Sequence, residues 1–73
     1  MPADDNGRIV CHLDRLLEER AMTLTELSKR VDMTLANLSI LKNNRAKAIR
    51  FSTLTAICVA LDCTPGDLLD LAD

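Results

Sequence analysis

Apolar residues recur along this chain mostly at helical spacing. Leu24, Leu27 and Val31 share one face, Leu35, Leu38 and Leu41 a second, and Leu54, Ile57, Cys58 and Leu61 a third. Steps of three and four residues put side chains on one side of an α-helix. Ile9, Val10, Leu13, Leu16 and Leu17 form a further stripe opposite Asp14, Glu18 and Glu19, which predicts a first helix over residues 8–20. Thr23, followed by Glu26, predicts a capping box at the start of the second helix. Asp32 tolerates the left-handed backbone of a helix stop, and Thr34 is the next N-cap. The third helix ends near Asn43 and Asn44, the second of which suits a left-handed cap. Residues 45–50 form an irregular basic loop, with extended backbone possible over residues 48–51. Ser52 is the expected N-cap of a fourth helix. Thr64, Pro65 and Asp67 open a fifth, which carries Leu68, Leu69 and Leu71.

Composition narrows the fold class. The chain has 73 residues, so it is expected to form one small domain, residues 8–73, behind a disordered tail over residues 1–7. Hydrophobic residues make up 48%, yet Phe51 is the sole aromatic. A core of Leu, Ile and Val favours packed helices over a sheet, which draws on aromatics. The expectation is an all-α, five-helix domain. A chain this short is marginal alone, and a dimer would bury more apolar surface.

A net charge of −2 argues at first against nucleic acid. The distribution reverses that. Between Lys29 and Arg50 there are six basic residues and one acid, Asp32. A basic stripe, rather than a basic total, is the footprint of phosphate binding.

The central segment and its flanks resemble the DNA-binding domain of lambdoid repressor and Cro proteins. Leu27, Val31, Met33, Leu38 and Leu41 match that family's apolar helix-turn-helix positions, and Ser28 its small residue. Residues 42–51 resemble the loop after the recognition helix, and residues 54–69 the last two helices. The resemblance covers residues 9–71. It implies a phage-like transcriptional regulator, most simply a repressor, that binds a two-fold double-stranded DNA operator as a homodimer. In that family the second helix of the motif enters the major groove by its N-terminal end. Carried over, the DNA-binding positions are Thr34, Leu35, Ala36, Asn37, Ser39, Ile40 and Asn43, with Arg45, Lys47 and Arg50 on the backbone or in a minor groove. The family's dimer interface falls on Leu68, Leu69 and Leu71.

The chain departs from the family in its reading residues. Leu35, Ala36 and Ile40 stand where relatives often carry Gln, Arg or Lys, and they offer contact only to thymine methyl groups. Leu24 replaces a Gln that many relatives place on phosphate. Two readings follow: a T-rich operator read partly through its shape, or an antitoxin- or adaptor-like surface turned to a protein partner with weak DNA binding. The retained basic loop favours DNA.

No other chemistry is visible in the residues. His12 has no nucleophile or orienting acid beside it in sequence. Cys11, His12, Cys58 and Cys63 lack zinc-site spacing. No enzyme activity, metal or cofactor is expected. No run is long enough to span a membrane. The polar, acidic N-terminus and the odd cysteine count point to a cytoplasmic protein.

Overall fold

Threonine hydroxyls start three of the helices. The computed structural model describes residues 9–72, so the tail expected over residues 1–7 lies outside the described residues. Thr23 caps α2 (Leu24–Val31), Thr34 caps α3 (Leu35–Lys42) and Thr64 caps α5 (Pro65–Leu68). Each Oγ1 accepts a backbone N–H of the first turn at 3.1–3.2 Å. The reciprocal capping box closes at Thr64, whose N–H donates to the Asp67 carboxylate at 3.0 Å. That hydrogen bond holds the Asp67 carboxyl below its ordinary pKa. The box expected at Thr23 is only half made. The Glu26 carboxylate turns instead to Arg30 one helical turn on, at 2.8 Å.

The apolar stripes meet in one core. Leu13 and Leu16 of α1 (Leu13–Glu19), Leu27 of α2, Leu38 of α3, Ile57 and Leu61 of α4 (Phe51–Leu61) and Leu68 of α5 are all buried. α2 packs against both α3 and α4, so α3 is braced through α2. Ser28 on α2 is half-buried, and its hydroxyl donates to the Thr25 carbonyl at 2.7 Å.

Both ends of the described residues depart from the all-α expectation. Residues Ile9–Cys11 form a strand, β1, rather than the first turn and a half of α1. It pairs antiparallel with β2 (Leu69–Leu71), in the register Ile9 to Leu71 and Cys11 to Leu69. The β-branched pair Ile9 and Val10 suits a strand, and a partner strand satisfies backbone groups that a frayed helix end would leave open. His12 N–H donates to the Leu68 carbonyl at 2.7 Å, which ties the two ends together. α5 is correspondingly short. Leu68 is 0% exposed, so it belongs to the core and is not available to a dimer interface. α4 begins one residue before its expected cap. Arg50, in extended backbone, precedes Phe51, and no side chain caps the helix.

The helix exits turn through left-handed residues without using glycine. Ala21, Asp32, Asn44 and Asp62 have φ of 53°, 54°, 62° and 51°. Asp32 and Asn44 match the sequence expectation; Ala21 and Asp62 do not announce themselves. Ala21 carries a Cβ penalty with no compensating side-chain bond, whereas Asn44 Oδ1 accepts the Cys11 N–H at 2.6 Å. Ala21→Gly should therefore stabilise the fold by up to about 1 kcal/mol and raise the melting temperature by a few degrees. Asn44→Gly should give no such gain, because relief at φ is offset by the lost tie to β1. Thermal melts followed by circular dichroism check both. A larger gain from Asn44→Gly than from Ala21→Gly would contradict this ranking.

Candidate nucleic-acid interface

The outer face of α3 is set by what its inner face must bury. Leu38 and Leu41 point into the core, which turns Leu35, Ala36, Asn37 and Ile40 outward. Leu35 and Ile40 remain 47% and 44% exposed. Asn37 and Thr34 flank them on the first turn. Ser39 is half-buried, and its hydroxyl accepts from Asn43 Nδ2 at 3.3 Å. The two short polar groups expected to read bases thus hold each other in place, while each keeps further hydrogen-bonding capacity.

The end of α3 fixes where the basic loop starts. Arg45 N–H donates to the Ile40 carbonyl at 3.0 Å and Asn44 N–H to the Leu41 carbonyl at 3.1 Å. This double closure, with Asn44 left-handed, is a Schellman end. It returns Arg45 alongside Ile40. A shallow cleft then collects Thr34, Asn37, Ile40, Arg45, Lys47 and Arg50, six of the expected contact residues. Leu35, Ala36, Ser39 and Asn43 lie outside that cleft, along the exposed side and last turn of α3.

Charge pairing sets most of the other cations apart from these. Arg15, Arg20 and Arg30 contact Glu19, Glu19 and Glu26, and Lys42 lies 3.9 Å from Asp14. Among the described residues, Arg45, Lys47 and Arg50 form no ion pair, and neither does Lys29 on α2, away from the cleft. The uncapped start of α4 adds to them. Its first-turn N–H groups carry the positive end of an eleven-residue helix and lie next to Arg50. Thr53 also lines the cleft, and sequence reading passed over it. Ser52 drew attention there as the expected cap. An uncapped start can be recognised only once Arg50 is seen to hold the cap position.

The other chemistry-bearing residues are dispersed. His12 lies 3.6 Å from Asp70 across the two-stranded sheet. No group of three or more His, Cys, Asp or Glu is placed to hold a metal ion among the described residues. No helix of the described residues is long and apolar enough to cross a membrane. Leu24 is half-buried against the core rather than presented to solvent.

Comparison with known proteins shows the family. The model of the Cro/C1-type HTH DNA-binding domain matches residues 12–73. The chain is 61% identical over 62 residues to the HTH-type transcriptional regulator YozG of Bacillus subtilis (strain 168), an alignment covering 85% of this chain and 74% of YozG. It is also similar to the crystal structure of the transcriptional regulator VanUg, with a TM-score of 0.71 and 28% identity over 88% of this chain and 84% of that one. A capped α2, a left-handed Asp32 and a capped α3 with an open outer face are the parts such a motif needs, and the chain belongs to the Cro/C1-type helix-turn-helix family of DNA-binding domains, a family of transcriptional regulators and not of enzymes.

Proposed function

We propose that the chain is a repressor that binds a two-fold DNA operator as a homodimer, with α3 of each copy in one of two major grooves about 34 Å apart. The observation that carries this reading is the cleft itself. Three cations without ion pairs lie beside the exposed face of α3. Arg45, Lys47 and Arg50 contact phosphate and set the register; they carry no base code. Leu35, Ala36 and Ile40 meet thymine methyl groups, and Thr34, Asn37, Ser39 and Asn43 supply the hydrogen bonds to base edges. Arg50 is also long enough to enter a narrow minor groove, where A-tracts attract Arg.

The dimer contact that fits best is the outer end of the sheet. Ile9 and Leu71 are cross-strand partners and are 48% and 59% exposed. Leu69 is half-buried beside them. A two-fold contact through this patch would cover apolar surface that one chain leaves open.

The test is a set of titrations on an operator selected from random duplexes and on a scrambled duplex, at several salt concentrations. Lys47→Ala should weaken both duplexes alike and reduce the salt slope by about one phosphate contact. Ser39→Ala should cost roughly 1–3 kcal/mol on the operator and leave the scrambled duplex nearly unchanged. A chain that ignores DNA and holds a protein at high salt would favour the adaptor-like reading that exposed Leu35 and Ile40 also permit.

A further inference from the structure

Two cysteines sit across the carboxyl end of α4. Cys63 N–H donates to the Cys58 carbonyl at 2.9 Å, and Asp62 N–H to the Val59 carbonyl at 3.2 Å, with Asp62 left-handed between them. In this kind of helix end, side chains at the positions of Cys58 and Cys63 characteristically meet through apolar groups. Here both groups are thiols, and both are free. Cys58 is 8% exposed and Cys63 is half-buried. They line one open groove with Thr55, Val59, Asp62 and Pro65, so the pair can be reached from solvent. Cys11 lies on β1, in a different cavity beside Leu41 and Leu69.

The chemistry favours a soft acceptor over oxidation. Burial, and then the Cys58 thiol beside it, push the Cys63 thiol up to about 11. A thiol so rarely ionised attacks peroxide slowly. A direct sulfur–sulfur bond also demands a narrow Cβ separation of about 3.8 Å. A soft atom bridging the two sulfurs relaxes that demand, and sulfur ligands select such atoms.

We propose that Cys58 and Cys63 form a dithiol site for monosubstituted trivalent arsenicals. In the reaction the two S–H bonds and the arsenic–oxygen bond break. Two As–S bonds form, and both protons leave with the oxygen as one water. Arsenic remains trivalent, so no oxidant or reductant takes part.

The probe is phenylarsine oxide at equimolar ratio with the reduced, folded chain, read by intact mass and by thermal melting. One adduct per chain is expected, formed with loss of one water. It should survive excess glutathione and be removed by a dithiol. Binding to the native state should raise the melting temperature. Cys63→Ser, at a half-buried position, should keep the fold and weaken binding at least about a hundredfold, since one sulfur loses the chelate effect. Cys58→Ala should do the same, and Cys11→Ser should change nothing. Full binding by Cys63→Ser, loss of binding in Cys11→Ser, or an adduct that forms only in denaturant would each overturn the proposal, as would the absence of any adduct.

Discussion

Leu68→Asp should unfold the chain. Leu68 is 0% exposed and lies where α5 hands over to β2. Truncating a buried leucine costs about 2–5 kcal/mol through lost transfer energy and the space left behind. A carboxylate in its place adds several more, because no cation among the described core residues is there to meet it. A domain of this size has only about 4–11 kcal/mol to lose. Leu71→Asp should behave differently. Leu71 is 59% exposed, so the charge stays in water and the fold survives. If the Ile9–Leu71 patch is the dimer contact, Leu71→Asp should shift sedimentation to the monomer and weaken operator binding. A cooperative melt for Leu68→Asp close to that of the unsubstituted chain would show that this leucine is not the core residue described.

Ile40→Glu should weaken operator binding strongly without unfolding the chain. Ile40 sits on the outer face of α3 and is 44% exposed. Only its backbone carbonyl serves the helix end, and glutamate is a better helix former than isoleucine. The new carboxylate would lie against Arg45 in the free chain and against phosphate in the complex. It removes a methyl contact and brings like charge toward the DNA. A loss on the order of a hundredfold, about 2.7 kcal/mol, is expected at moderate salt. The loss should shrink as salt screens the repulsion. Ile40→Ala, which removes only the methyl contact, should lose less. Circular dichroism and a binding titration on each variant check the pair. Unchanged affinity in Ile40→Glu would remove α3 from the groove and bring the protein-partner reading forward.

The middle of the chain was legible in sequence because its signals are local. Thr23, Thr34 and Thr64 cap helices through bonds spanning three residues, and the leucine spacing between them marks the helices, although Leu35, grouped by spacing with Leu38 and Leu41, stays 47% exposed. Asp32 and Asn44 follow the same logic at the helix exits. The ends were misread because their signals are not local. Ile9 and Val10 continue the apolar stripe of α1 and, being β-branched, suit a strand as well. What decides for β1 is a partner strand near the far end of the sequence, at residues 69–71, and an Asn44 side chain that takes the Cys11 N–H. Leu68 illustrates the same difficulty. A leucine cluster in a short tail looks unpartnered until the chain is seen to double back on itself. At the candidate site, sequence pointed to Thr34, Asn37, Ile40, Arg45, Lys47 and Arg50 but not to the one cleft that they line. The helix end that returns Arg45 to Ile40 and the uncapped start of α4 near Thr53 depend on backbone geometry.

In the proposed complex, α3 and the loop after it form the DNA-binding face. Amide NMR spectra of the isotope-labelled chain, recorded as the selected duplex is added, test it most directly. The largest shift changes are expected on residues 34–43 and 45–53, and those of the loop should diminish first as salt rises. Changes confined to β1 and β2, or to the outer face of α1, with residues 34–53 unmoved, would contradict it.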